Sequence, residues 1–196
     1  MPTLSRLFIC GVLLALLCGC SSESVSNDGG NQSANSLSHE ETSQVIVETQ
    51  WPEEVSSVAW LVRNSSAVIR GTVTGISDPF EATDVMGQLI VCHDVEIAVS
   101  NSIKGSHRRG ETVTVRVRGG SFEGFTYVDD DQPVFTIGED VLVMLAQNEW
   151  GGYGVTGAFS GKFHMENEVA RRDDARVPTE MRGVGIGLIE AEAHRE

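Results

Sequence analysis

The sequence predicts a mainly β fold, a five- to six-stranded antiparallel barrel with one short helix on its N-terminal side. Three observations carry this. Apolar residues recur at every second position over several separate stretches, the period of a half-buried strand. A single stretch ahead of them repeats at helical spacing, and no strand–helix–strand alternation follows, which argues against a parallel α/β sheet. Glycines interrupt the strand-like stretches themselves, as tightly coiled barrel strands require. The chain has 196 residues, 21 of them glycine, and a formal net charge of −14. That length suffices for one domain with a sizeable core plus tails.

The chain opens on a leader. Arg6 supplies positive charge, residues 7–17 are apolar apart from Gly11, and the run closes on Leu17-Cys18-Gly19-Cys20. A charged start, a short apolar core and a small residue before the cut describe a secretory signal peptide. The run is too short for a transmembrane helix, which needs about 20 apolar residues. Its ending resembles a bacterial lipobox. Residues 1–19 are read as a lipoprotein signal peptide and Cys20 as the lipid-bearing first residue of the mature chain. Ser21 rather than Asp after it allows sorting to an outer membrane. Residues 20–50 are rich in Ser, Asn, Gln and Gly and lack aromatic side chains, so they read as a flexible tether. About 30 residues of this kind span on the order of 30 Å. Val45-Ile46-Val47 is the one apolar cluster in it.

Residues 51–172 read as the folded domain. Pro52 suits a first helical turn, Glu53 and Glu54 complement its positive end, and Val55, Val58, Ala59 and Val62 share one face. Trp51 and Trp60 border that face. Residues 67–76 (AVIRGTVTGI) begin the strands, with Gly71 and Gly75 marking a bulge, a bend or close packing. Residues 77–87 read as a long loop. Residues 89–99 form the clearest strand, with Val91, His93, Val95, Ile97 and Val99 on one face and Cys92, Asp94 and Glu96 on the other. A basic turn follows (Lys104, His107, Arg108, Arg109). Residues 111–118 then alternate strictly, with valines inward and Arg116 and Arg118 outward. Antiparallel pairing of these two strands places Arg116 near Asp94 or Glu96.

Residues 119–138 make a long excursion that carries Phe122, Phe125 and Asp129-Asp130-Asp131, and its length points to hidden structure. Residues 141–146 (VLVMLA) are apolar on both faces, as in a central strand. Residues 153–165 read as one further strand, followed by a turn at Glu166-Asn167 and a return over 168–172. Residues 173–196 read as a weakly structured tail with one or two helical turns at 188–194. The strand count fits a five-stranded, partly open OB-like barrel better than a seven-stranded sandwich.

The succession AVIRGTVTGI, VEIAVSNSIKG, GETVTVRVRGG, FTIGEDVLVML and GVTGAFSGKF resembles a recurrent group of secreted bacterial lipoproteins. These are similar in turn to the netrin-like, or tissue-inhibitor-of-metalloproteinases-like, version of the OB barrel. The resemblance spans residues 65–163 and implies a fold more than an activity. In those inhibitors a free N-terminal cysteine binds the protease zinc and disulfides brace the barrel. Here the lipid commits Cys20. Of the four cysteines, Cys10 and Cys18 leave with the leader, so Cys92 alone remains in the domain and no bracing disulfide forms.

The acidic balance repels nucleic acid, which is bound through Lys and Arg clusters. No CxxC or HExxH pattern is present, and no cofactor is called for. Asp129, Asp130 and Asp131 are weak candidates for a calcium site with Glu123 or Asp140. Their spacing is that of a solvated loop rather than a calcium loop, so no metal site is assigned. The glycines of GVGIG (Gly183, Gly185, Gly187) lack the surroundings of a phosphate loop. Cys92 and His93 point to opposite faces, which works against an adjacent nucleophile–base pair. The leading expectation is a non-catalytic, lipid-anchored domain outside the cytoplasm that binds an envelope or secreted protein. Its binding face combines Arg116, Arg118, Phe122 and Phe125 with the 77–87 and 119–138 loops. The alternatives are inhibition of an extracellular metalloprotease through barrel loops, and a thiol-dependent activity at Cys92. If Cys20 is the anchor, Cys20→Ser moves the protein from the membrane pellet to the soluble fraction and abolishes incorporation of labelled fatty acid. Retention in the membrane would overturn that assignment.

Overall fold

In the computed structural model the chain is described over residues 43–47, 57–84, 86–148, 150–172 and 182–195. The leader, Cys20, Trp51, Pro52 and Val55 lie outside these residues. Strand β1 (Ser43–Val47) comes first, within the stretch read as tether. Helix α1 (Val58–Asn64) begins six residues later than Pro52 implies, because Ser57, not Pro52, caps it: the Ser57 hydroxyl accepts the Trp60 N–H at 3.2 Å. At its other end the Ser65 hydroxyl donates to the Leu61 carbonyl at 2.7 Å. The face it buries is Leu61 and Val62, with Val58 and Trp60 half-covered at its edge.

Five strands close the barrel. β2 (Ala67–Ile76) pairs antiparallel with β4 (Leu89–Lys104), which pairs antiparallel with β5 (Thr112–Arg118). On its other side β2 pairs with β8 (Asp140–Gln147), and β8 pairs with the short β9 (Tyr153–Val155). The ring closes where β9 meets β5 in parallel, at the single register pair Val115↔Tyr153. This is the strand order of an OB-like barrel, antiparallel except at that joint. β2 and β4 slip register at three places, one of them at Gly71. A Cβ on Gly71 would stand 2.4 Å from the Ala98 carbonyl oxygen, so the close approach that bends β4 around the barrel needs glycine.

The remaining elements wrap this ring. β3 (Phe80–Thr83) occupies part of the predicted 77–87 loop and pairs with the start of β4. β6 (Gly120–Phe122) and β7 (Phe125–Asp129) form a hairpin inside the 119–138 excursion, and β1 adds parallel to β7. The predicted strand over 153–165 is two strands. Gly157 and Ala158 adopt positive φ (67° and 51°), and a 3₁₀ turn over Ala158–Gly161 breaks the run before β10 (Lys162–Glu166). β11 (Val169–Arg171) follows a two-residue turn in which Asn167 and Glu168 both have positive φ, the type I′ hairpin geometry. The C-terminal stretch read as weakly structured contains β12 (Gly183–Gly185) and a second helix, α2 (Ile186–Ala193), which covers most of the one or two helical turns expected at 188–194. Gly183 and Gly185 belong to a strand paired with β11 rather than to a loop.

Two cores share β8. Val141, Val143 and Leu145 point into the barrel with Ile69, Ile97 and Val115. Leu142 and Met144 point outward, where Phe163, Leu61 and Ile189 bury them under both helices. This is why the strand reads as a continuous apolar run rather than an alternation. Arg172, 3% exposed, stacks on the Phe163 ring at 4.7 Å, and burial pushes its guanidinium down to about 10. Phe163 is fully buried between β8 and the outer layer. Its truncation to alanine should cost about 3–5 kcal/mol, read as a lower urea midpoint at unchanged slope.

Candidate functional site

Both loops read as binding elements converge on one cleft of about 270 Å³. β3 brings Glu81 beside Leu89, Ile90 and Val91 of β4, and the β6–β7 hairpin sets Phe122, Glu123, Phe125 and Tyr127 around the same space. Phe122 and Phe125 are a directly opposed cross-strand pair flanking the turn. The two turn residues between them, Glu123 and Gly124, have φ of 49° and 77°, again type I′. Behind the cleft, Ile90, Val91, Cys92 and Tyr127 form a small buried cluster with Phe80 and Phe122 against it. At its mouth Leu89 is 66% and Phe125 44% exposed.

The four candidate binding residues do not form one surface. Phe122 and Phe125 line this cleft, whereas Arg116 lines a second, with Asp94, Thr114, Asn148, Trp150 and Tyr153. Arg118 lines a third, with His93, Asp129 and the 129–135 turn. Neither arginine is fully solvent-exposed, as strict alternation predicted. Arg116 donates through Nε and Nη2 to the two Asp94 carboxylate oxygens at 2.8 and 3.0 Å, so of the two partners the sequence allowed, Asp94 and Glu96, the register selects Asp94. It also packs 4.9 Å from the Phe80 ring centroid and 5.8 Å from that of Trp150. The Asp94 carboxylate raises its affinity for the proton further, so the pair is a neutral, fixed unit. Arg118 lies 5.9 Å from the Trp150 ring. Trp150 covers part of the strand surface that the sequence leaves open.

The basic turn is largely committed. Lys104 Nζ donates to the Val62 carbonyl at 2.9 Å, at the C-terminal end of α1. His107 places Nδ1 2.9 Å from Glu111 Oε1 and Nε2 3.1 Å from the Tyr153 hydroxyl. With a neutral ring, Nδ1 donates to the carboxylate and Nε2 accepts the phenol. The Arg108 N–H also binds Glu111 at 2.9 Å, and it, with His107, holds the Glu111 carboxyl below its usual range. These bonds tie the turn to β9.

His93 Nδ1 lies 3.1 Å from the Gly119 carbonyl and borders the third cleft, while Cys92 is buried on the other face. Alternation had separated them in this way. Asp129 accepts the Asp131 N–H at 3.2 Å, and Asp131 is itself 6% exposed. Burial raises the Asp129 carboxyl. Among the described residues no three His, Cys, Asp or Glu side chains converge as a metal would require. Glu81, Leu89 and Tyr127 were not singled out by sequence. They come from separate segments, and only the β3–β4 pairing and the hairpin bring them together. No protein-family model matches the chain, and no curated protein matches it significantly.

Cys92 is fully buried, and desolvation pushes its thiol up, so it is held as the neutral, unreactive form. A thiol reagent should leave Cys92 unlabelled in the folded protein at neutral pH and label it once urea unfolds the domain, as read by peptide mapping. Rapid labelling of the native protein would reverse this assignment.

Proposed function

We propose that the chain is a non-catalytic, lipid-anchored binding domain outside the cytoplasm. Its partner is an envelope or secreted protein, held in the cleft between β3, β4 and the β6–β7 hairpin. The observation that carries this is the pairing of a formed cleft with large apolar groups left open at its mouth, Leu89 and Phe125. A concave apolar site with convergent polar groups is the usual form of a binding site, and grouped exposed apolar side chains are what partners cover. Rigid elements, two paired strands and a hairpin, hold the site, so little ordering cost falls on association.

The anchor and the leader belong to the same proposal, supported by Arg6, the short apolar core and Cys20. So does the relation to netrin-like barrels, supported by the strand order and the parallel β5–β9 closure. The inhibitory mechanism of that family gains no support, since Cys92 is the one cysteine of the domain and is unpaired. Leu89→Ser combined with Phe125→Ser should cut capture of the envelope partner by about tenfold or more, while thermal unfolding stays within a few degrees of the parent. Arg109→Ala, on the distant turn, serves as the control. Undiminished capture by the double variant would sink the proposal.

A further inference from the structure

The charges around the cleft are one-sided. Glu81 stands on β3 at one side and Glu123 at the hairpin tip, and no lining residue is cationic. Neither carboxylate has an ion-pair partner among the described residues, whereas several other acids do: Asp94 has Arg116, Asp140 and Glu168 share Arg70, and Glu139 has Lys162. Asp84 and Asp129 lie close enough to Tyr127 to act on it electrostatically and add to the negative field, but their oxygens already accept local hydrogen bonds. Of the nearby cations, Arg116 is paired with Asp94 and lines the second cleft, and Arg118, beside Trp150, lines the third, where it acts on Tyr127 from the far side and offsets part of that field without entering this cleft. The whole chain carries −14, which steers cations toward it.

Glu123 is also an unexpected residue for its place. The first central position of a type I′ turn favours Asn, Asp or Gly, which tolerate positive φ, and Glu123 holds φ of 49° there. The turn would be better made by Asn-Gly. Its glutamate is instead one of the residues that line the cleft.

Resting on the binding role proposed above, we infer that this cleft is selective for a cationic, apolar segment of the partner protein. An apolar side chain of that segment fills the space between Phe122, Leu89 and Tyr127. Lys or Arg side chains flanking it meet Glu81 and Glu123. Apolar contact supplies the bulk of the affinity. The two carboxylates supply selectivity against neutral and acidic segments, because rim charges discriminate more than they bind.

The test uses the full-length protein in detergent and three short peptides, Gly-Lys-Leu-Phe-Lys-Gly and its Ser and Glu counterparts at the two Lys positions, with binding read by NMR shift titration. The Lys peptide should bind at least tenfold tighter than the Glu peptide, with the Ser peptide between them. Glu81→Gln combined with Glu123→Asn should weaken the Lys peptide by about three- to tenfold and remove most of the salt dependence. Glu123→Asn alone should hold or raise the melting temperature, since it makes the favoured turn, so weaker binding in that variant is not a folding defect. Equal affinity for the three peptides, or a Lys peptide unaffected by the double variant, overturns the inference, as does failure of the Lys peptide to bind. In each case the Leu89→Ser, Phe125→Ser capture experiment still decides the binding role separately.

Discussion

Five consecutive residues of β8, Val141 to Leu145, are fully buried, and the two main layers of the domain are built against one or other of their faces. Burying each such side chain stabilises by about 1.5–3 kcal/mol, so this strand alone supplies a large share of the driving force. The barrel uses its odd-numbered side chains and the helical layer its even-numbered ones. A one-residue slip of β8 would exchange the two sets, so register with β2 is strongly specified. The helices therefore dock onto a barrel strand already committed by its inner face. The cleft proposed for binding lies on β3, the start of β4 and the hairpin, and its lining includes no residue of β8.

Four of the five barrel strands were legible because each carries either a clean period of two or an unbroken apolar run. What escaped was decided by partners far off in the chain. β3 and β6 are three- or four-residue strands with little apolar content, and β1 acquires its strand character from β7 some 80 positions on. The 153–165 stretch keeps its apolar phase while the backbone leaves the sheet at Gly157, so periodicity reads through a break that φ alone reveals. Helix α1 was misplaced at its start because Pro52 and two acids outweighed the plainer signal of Ser57 three residues before Trp60.

The site was half legible. Phe122 and Phe125 stood out as aromatic residues in a polar excursion, and antiparallel pairing narrowed the partner of Arg116 to Asp94 or Glu96. Reading the arginines as an open face failed because Trp150, from the β8–β9 turn, lies over them. The effect is to leave Arg118 as the one arginine of that strand without an acid partner among the described residues. Arg116 is neutralised by Asp94 and stacked on aromatic rings, which removes an anion site and leaves the unpaired acids at the cleft as the distinctive charges of that side.

The ring of five strands is held unevenly. Four of its joints are ladders of three or more register pairs, and the fifth, β5 to β9, is the single pair Val115↔Tyr153. Tyr153 is kept there by His107, whose ring meets it edge-on with centroids 5.3 Å apart. A sub-global opening that spares the β2–β4–β5 meander would begin at this joint, so amides of β9 have the shortest route to exchange with solvent. The barrel thus has one joint much thinner than the rest, and the 105–110 turn, through His107 and Tyr153, reaches across it.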